Sequence, residues 1–197
     1  MPPRFLVRSR PLTILLTAVL ATAVPWALHA APRVGAARRF TLRSATLPPQ
    51  STFARAQVYN KYGCRGRNIS PALLWRNPPR ATRSFAVLMF DPDAPGGVWW
   101  HWLLFDLPAS TRALMAGAGD PGGSLPNGAR QARNDYGTVG YGGPCPPPGP
   151  PHHYHITLYA LRVAHLDLPN GAPADTVAAA VRAAAIARTG LVIPYGR

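Results

Sequence analysis

Three apolar runs, separated by stretches rich in proline and glycine, limit what this chain can fold into. Residues 84–90 are continuously apolar after the first position, residues 99–107 are rich in aromatic side chains, and residues 155–163 combine β-branched with aromatic residues. Such runs are typical of strands buried on both faces. The chain also has 24 Pro and 18 Gly among 197 residues, and proline interrupts both helices and central strands. The pattern predicts the centre of a β-sheet, with long ordered loops between its strands, and disfavours a helical bundle.

Shorter patterns complete the predicted fold. Apolar and polar residues alternate over 40–44, which indicates a strand with one buried face. An alanine-rich amphipathic helix is predicted over 175–188, with Asp175 or Thr176 as its N-terminal cap and Gly190 at its end. Residues 191–195 then read as a last short strand. We predict a single domain over 40–197.

The charge of the chain is strongly positive but dispersed. The formal net charge is +14, although only 14% of the residues are charged, because Glu is absent and the acids are seven Asp. Arg residues are spread along the chain, and no basic run exceeds the pair Arg38–Arg39. A nucleic-acid-binding protein more often concentrates its basic residues in one stripe. Binding to nucleic acid or to an anionic membrane surface therefore stays a minor alternative, and no specific nucleic-acid partner is predicted.

The first 39 residues have the pattern of an export signal. Arg4, Arg8 and Arg10 precede an uncharged interval over 11–32 that contains the densest apolar stretch of this region. This arrangement predicts a signal peptide over 1–30 with an uncertain cleavage site, followed by a linker over 31–39. Its removal would lower the net charge by three and place the domain in the periplasm or outside the cell, where conditions are oxidising. An uncleaved membrane anchor is the alternative.

Two aspartates directly follow the first apolar run, in a loop fixed by prolines. Asp91 and Asp93 belong to the segment Asp-Pro-Asp-Ala-Pro over 91–95, and Asp-Pro sequences are common in ordinary turns. His101, inside the second run, suggests more than a turn. A carboxylate within hydrogen-bond distance holds an imidazole in one tautomer and raises its pKa. We therefore expect Asp91 to keep His101 charged and able to bind an anion.

Strand alternation divides the histidines before the third run into two groups. If a strand begins near His152, then His152 and Tyr154 share a face with the apolar residues that follow, whereas His153 and His155 lie on the other face. His152 and Tyr154 are therefore the candidate pocket residues. His153 and His155 are predicted to be ordinary surface or packing residues.

These motifs resemble the phosphatidylethanolamine-binding protein family, and more narrowly its bacterial Raf-kinase-inhibitor-like branch, the YbhB/YbcL group. The resemblance rests on the segment over 91–95, on Trp-Trp-His-Trp over 99–102 and on the proline-rich segment ending in His-His-Tyr over 146–154. Residues 68–71 and 137–141 also match in type and order. The likeness extends over residues 40–195.

The resemblance implies a mainly β fold, in which a large central antiparallel sheet is flanked by a smaller sheet and a C-terminal helix. It also implies a small anion pocket at one edge of the sheet. The ligand-binding residues of the family fall on Asp91, His101, His152 and Tyr154, and His153 stands where the family usually has Arg. Further candidate ligand-binding residues are Pro92, Trp100, Gly143 and Cys145. Pro92 or Pro95 is expected to follow a cis peptide bond.

The implied function is non-catalytic binding of a small anion, such as phosphate, a phospholipid headgroup or another phosphorylated ligand. Glycines over 137–143 would let backbone N–H groups approach the phosphate oxygens. The family also suggests inhibition or regulation of a kinase or protease, and no cofactor is predicted. The alternative is a hydrolase that uses Asp91, His101 and His152 as acid, base or metal ligands, although no Ser or Cys nucleophile is signalled beside them.

The chain has two cysteines, Cys64 and Cys145, in loops that the family places at the rim of the pocket. An even pair in an exported chain predicts a disulfide. Two free thiols are the alternative. A zinc site formed with two histidines is a further alternative, but it lacks the short Cys-x2-Cys spacing of structural zinc sites.

Overall fold

A computed structural model describes residues 38–197, so the predicted signal peptide and nearly all of the predicted linker lie outside the described residues. The described part contains eight strands and one helix. Their bounds are β1 Thr41–Arg43, β2 Leu73–Arg76, β3 Ser84–Asp91, β4 Trp99–Pro108, β5 Ala113–Leu114, β6 Arg130–Gln131, β7 His152–Leu161, α1 Ala174–Ala184 and β8 Ala185–Tyr195. Within residues 38–197 there is no helix with the length and apolar character needed to span a membrane.

The three apolar runs form the centre of a five-stranded antiparallel sheet, as predicted. The strand order is β6-β4-β3-β7-β8, so β3 is paired on both sides. The register places Asp91 opposite Trp99 and Phe90 opposite His155. Consequently, the end of β3 and the beginnings of β4 and β7 meet at one edge of the sheet.

Both faces of this sheet are covered. One face packs against the three-stranded sheet β1-β2-β5, through a core that includes Trp75, Trp102 and Ile156. The other face packs against α1, with Val177 and Val181 at the contact. The mainly β architecture with two sheets and a C-terminal helix is therefore confirmed.

The C-terminal helix is shorter than predicted, and the last strand is longer. Helix α1 ends at Ala184, and β8 follows without a loop and pairs with β7 along its whole length. Residues 185–188 are strand, and Gly190 lies inside β8 instead of ending the helix. The alanine-rich composition favours a helix locally, but pairing with the buried strand β7 supplies hydrogen bonds and decides the conformation.

The predicted N-terminal cap of the helix is also wrong. Pro173 occupies the cap position, and no side chain caps the helix. The carboxylate of Asp175 instead accepts a hydrogen bond of 2.8 Å from the indole Nε1–H of Trp100. Asp175 therefore binds a side chain of the sheet instead of capping the helix, because the buried indole of Trp100 needs a hydrogen-bond acceptor.

Candidate functional site

A cavity of about 290 Å³ opens at the edge where β3, β4 and β7 meet. Its lining includes Asp91 from the end of β3, Trp99 and His101 from β4, and His152 and Tyr154 from β7. Five of the predicted ligand-binding residues are therefore brought together, although up to 63 positions separate them in the chain: Asp91, His101, Cys145, His152 and Tyr154. For the four that lie on strands, antiparallel pairing does this directly, because neighbouring strands end and begin at the same edge.

Each aspartate of the 91–95 loop pairs with a histidine of the third strand. Asp91 Oδ2 accepts a hydrogen bond of 2.7 Å from His152 Nδ1, and Asp93 Oδ2 is 2.9 Å from His153 Nδ1. The first pair is shielded inside the cavity wall, whereas the second is solvent-exposed. Hydrogen bonding by the His153 side chain lowers the pKa of Asp93. The expectation that Asp91 hydrogen-bonds His101 is wrong, because the carboxylate is already used by His152.

His101 is a buried, neutral imidazole. Its Nδ1 lies 2.7 Å from the carbonyl oxygen of Gly142, so Nδ1 carries the proton and donates it to that oxygen. Burial lowers the pKa of His101 to about 4, and the Gly142 hydrogen bond and the charge of Asp91 oppose this shift only in part. The predicted charged state of His101 is therefore wrong at neutral pH. Its Nε2 is left as a hydrogen-bond acceptor.

A β-bulge in β4 directs His101 into the cavity. Met89 is paired with Trp102 and Phe90 with Trp100, so His101 is an extra residue in the ladder. Strict alternation would place Trp100 and Trp102 on the same face, yet Trp102 lies in the core between the sheets and Trp100 lies on the helix side. Bulges re-aim side chains in this way beside functional sites. The structure therefore places Trp100, a predicted ligand-binding residue, on the opposite face from the cavity.

Two phenols in the cavity wall stay protonated. Burial raises the pKa of Tyr154, and the charge of Asp91 adds to this effect. Burial likewise raises the pKa of Tyr136, whose ring stacks on Tyr59 with 3.8 Å between the centroids and whose hydroxyl donates to the Gly143 carbonyl. A protonated phenol is a hydrogen-bond donor, and a side-chain hydrogen bond to Asp91 also contributes to the raised pKa of Tyr154.

The loop after β3 contributes a different proline from the one predicted. Pro95 lines the cavity and Pro92 does not. All peptide bonds of the described residues are trans, so the expected cis bond at Pro92 or Pro95 is absent. The chain reverses instead through Gly96 and Gly97, whose φ angles of 90° and 120° are favourable for glycine.

Gly142 and Gly143 are needed for packing rather than for phosphate binding. The Gly143 amide donates to Asn68 Oδ1 at 2.7 Å, and the Gly142 amide donates to the His101 carbonyl at 2.9 Å. Both N–H groups are occupied within the protein, which contradicts the predicted phosphate loop. Gly143 itself does not line the cavity. The absent side chain lets this segment approach residues 57–59, since a Cβ at Gly143 would lie 2.0 Å from the Gln57 carbonyl oxygen.

Replacing Gly143 by alanine is expected to lower the free energy of unfolding by about 1–3 kcal/mol, because the backbone at Gln57 must move away. Denaturant unfolding of the purified protein measures this change. Gly137→Ala is the control, since a Cβ there meets open space and only the left-handed φ is unfavourable, at about 1 kcal/mol. Equal destabilisation by the two substitutions would contradict the steric explanation.

A disulfide links Cys64 to Cys145, as predicted. Cys145 lines the cavity, and its Sγ lies 3.6 Å from the carbonyl oxygen of Tyr62. Tyr62, which also lines the cavity, has an exposed ring that stacks near Tyr136. The disulfide therefore joins the Tyr62 loop to the proline-rich segment on the other side of the cavity mouth.

Eight cavity residues were not predicted to bind the ligand: Tyr62, Ala94, Pro95, Trp99, Asp135, Tyr136, Pro146 and Pro147. Trp99 could have been found, because a residue two positions before His101 on a strand shares its face. Asp135 accepts a hydrogen bond of 2.6 Å from the Trp100 amide, and burial raises its pKa. Nothing local in the sequence distinguishes Tyr62, Asp135 or Tyr136 from other loop residues, since their position depends on long-range packing.

The cavity has the character of a small-ligand site. It is concave, largely apolar, and contains a few convergent polar groups, which is the usual composition of such sites. Within residues 38–197, no cluster of three or more His, Cys, Asp or Glu side chains is arranged to hold a metal ion. The fold and the cavity together define a mainly β protein with a small, partly polar cavity where the central strands β3, β4 and β7 meet.

Comparison with known proteins gives the family. The family model described as phosphatidylethanolamine-binding protein matches residues 44–196. YbcL of Escherichia coli (strain K12) is 38% identical over 81% of this chain and 88% of its own length. YbhB of the same organism is 46% identical over 58% of this chain and 73% of its own. The chain belongs to the phosphatidylethanolamine-binding protein family.

The structural comparison agrees with this assignment. The crystal structure of E. coli YbcL, described as a new member of the mammalian PEBP family, matches with a TM-score of 0.78 and 37% identity, over 80% of this chain and 98% of that one. LppC of Mycobacterium tuberculosis (strain ATCC 25618 / H37Rv), which is named as a lipoprotein, is 39% identical over 70% of this chain and 65% of its own.

Proposed function

We propose that this protein is a non-catalytic binding protein whose cavity takes a small phosphate-bearing ligand, such as a phosphorylated amine headgroup. The observation that carries the proposal is the arrangement of two imidazoles. His101 and His152 both line the cavity, and each uses Nδ1 within the protein. Each therefore keeps its Nε2 for a ligand.

The donors and acceptors of the cavity describe the ligand further. His152 donates from Nδ1 to the Asp91 carboxylate, so Nε2 is the ring nitrogen that remains for a ligand. Neutral His101 offers an acceptor at Nε2, and the Tyr154 oxygen, whose proton is engaged by Asp91, is a further polar group of the wall. A ligand that carries an exchangeable N–H or O–H beside its oxygens can donate to Nε2 of neutral His101. A phosphorylated amine, or a phosphate that keeps one proton, has such a donor. A fully deprotonated anion has none, and its oxygens would be repelled by the lone pair on Nε2 of His101.

The same residues disfavour hydrolysis through a covalent intermediate. Cys145 is held in a disulfide, and the described residues that line the cavity include no Ser or Thr. The Asp91–His152 pair therefore has no neighbouring serine or threonine hydroxyl and no free thiol to activate. This supports a binding role over the hydrolase alternative.

Two observations support a location outside the cytoplasm. Disulfides persist mainly in oxidising compartments, and Cys64 and Cys145 are joined. The similarity to LppC, which is named as a lipoprotein, is consistent with this. We propose an exported protein.

Replacing His101 by alanine is expected to abolish binding of O-phosphoethanolamine, and His152→Ala is expected to weaken it about 10-fold or more through loss of a hydrogen bond to the ligand. Titration of the full chain, followed by the NMR amide signals of Trp99 and Tyr154, measures occupancy of this cavity. His153→Ala is the matched control, because its exposed ring pairs with Asp93 outside the cavity. Wild-type affinity in the His101 variant would overturn the proposed site.

A further inference from the structure

A second groove lies on the opposite face of the five-stranded sheet, beside α1. Its volume is about 370 Å³. His155, Thr157 and Tyr159 of β7 line it, and these residues alternate with the residues that face the core between the sheets. Arg182 of α1 and Arg188 of β8 complete its polar wall. The groove is therefore separated from the cavity described above by the thickness of the sheet.

The two arginines of the groove have no acidic partner. Both side chains are exposed, and neither forms an ion pair or a side-chain hydrogen bond with any residue in 38–197. No Asp lines the groove. The first cavity has the opposite charge pattern, since its lining contains Asp91 and Asp135 and no Arg. Within the described residues, the groove, and not the first cavity, combines a concave shape with unbalanced positive charge.

Aromatic contacts hold the cationic side of the groove in place. The Arg182 guanidinium lies 5.5 Å from the ring centre of Trp100, which is a cation–π contact. The His155 ring stacks on Phe90 with 5.0 Å between centroids. Arg188 lies directly across from Tyr159 in the β7–β8 register. The contacts of Arg182 and His155 reduce the side-chain freedom that binding would otherwise have to remove.

The floor of the groove leaves a hydroxyl accessible. Gly190 is the cross-strand partner of Thr157, and a Cβ at Gly190 would lie 3.4 Å from the Thr157 hydroxyl oxygen. Because glycine has no side chain, the position above Thr157 stays open. Arginine binds tetrahedral oxyanions through paired N–H donors, and a threonine hydroxyl can donate one more hydrogen bond to the same group.

We propose that this groove is a second anion site, specific for a phosphate group that carries two negative charges. Arg182 and Arg188 balance the charge, and the Thr157 hydroxyl and the His155 ring supply further polar contacts. The site is independent of the ligand proposed for the first cavity. The same chemistry occurs in a soluble phosphomonoester and in the headgroup of phosphatidic acid.

The proposal is tested by titrating the full chain with inorganic phosphate and following the NMR amide signals of Thr157 and Gly190. Saturable shifts of these signals are expected, and Arg182→Gln/Arg188→Gln should weaken the interaction about 10-fold or more. Thr157→Val should weaken it less. The matched control is Arg43→Gln/Arg76→Gln, which removes two exposed arginines from β1 and β2 and should leave the titration unchanged.

The amide signals of Trp99 and Tyr154 report on the first cavity, so they distinguish binding there from binding in the groove. The His152→Ala substitution, which alters only the first cavity, should leave the phosphate-induced shifts of Thr157 and Gly190 unchanged. Sedimentation with phosphatidylcholine vesicles that do or do not contain phosphatidic acid identifies the source of the phosphate group. If the Arg182/Arg188 variant loses only vesicle binding, the site takes a lipid headgroup, and if it loses binding of soluble phosphate as well, the site takes the phosphate group itself. Absence of saturable shifts at Thr157 and Gly190, with no difference between the variants on vesicles, would overturn the proposal.

Discussion

Replacing both cysteines by serine is expected to lower the free energy of unfolding by about 4–5 kcal/mol. Cys64 and Cys145 are 81 positions apart in the sequence, so their bond closes a long loop in the unfolded chain. Closing such a loop removes conformational entropy from the unfolded state, and the stabilisation grows slowly with loop length. For a domain whose total stability is about 5–15 kcal/mol, this is a large fraction.

Urea unfolding of the Cys64→Ser/Cys145→Ser variant and of the oxidised wild type measures the difference. The reduced wild type is the matched control, because it lacks the bond but keeps both side chains. Its free energy of unfolding should agree with that of the variant. A difference of less than about 1 kcal/mol between the variant and the oxidised wild type would contradict the entropic contribution.

The same substitution should also affect the first cavity. Tyr62 lies two residues before Cys64 and lines the cavity together with Cys145. Without the covalent link, the Tyr62 loop keeps only its aromatic stacking and backbone contacts with the opposite side. The affinity for O-phosphoethanolamine should therefore fall even under conditions in which the variant is fully folded.

The sheet was predictable because its strands carry an unambiguous local signal. Continuous apolar runs bounded by turn residues leave few alternatives to buried strands, and β3, β4 and β7 occupy the centre of the sheet accordingly. The end of the C-terminal helix was not predictable in the same way. Its alanines favour a helix, and only pairing with β7 makes residues 185–188 a strand.

The sequence predicts which residues line the cavity better than it predicts which of them contact one another. Alternation along β7 correctly separates Tyr154 from His155, since an ideal strand has a period of two. The same rule fails in β4, where the bulge at His101 shifts the pattern and moves Trp100 to the helix side. Local sequence does not encode the bulge, because it arises from the register of two neighbouring strands.

Which histidine the aspartate contacts depends on three-dimensional placement as well. Sequence proximity suggests His101 as the partner of Asp91, whereas the pairing of β3 with β7 brings His152 to the carboxylate. His101 is then left with the Gly142 carbonyl, and burial makes it neutral. A neutral acceptor in place of a cation changes which ligands the cavity can accept.

Lowering the pH from 7 to 4 is expected to reduce the free energy of unfolding through His101 by about 3 kcal/mol. Burial lowers the pKa of His101 to about 4 in the folded protein, from an ordinary value of 6.5. Between these two values the unfolded chain binds a proton at this histidine and the folded protein does not. Stability from this group is therefore fully present above pH 6.5, and it is lost as the pH falls through the window from 6.5 to about 4.

Urea unfolding of the wild type and of His101→Gln at several pH values isolates this contribution. Glutamine can still donate to the Gly142 carbonyl but does not titrate. Burial raises the pKa of Asp106 and of Asp135, which gives a dependence of the opposite sign, but both proteins share these groups. The difference between their slopes therefore belongs to His101. The wild type should lose stability more steeply on acidification, and equal slopes would mean that this imidazole is not held neutral by its burial.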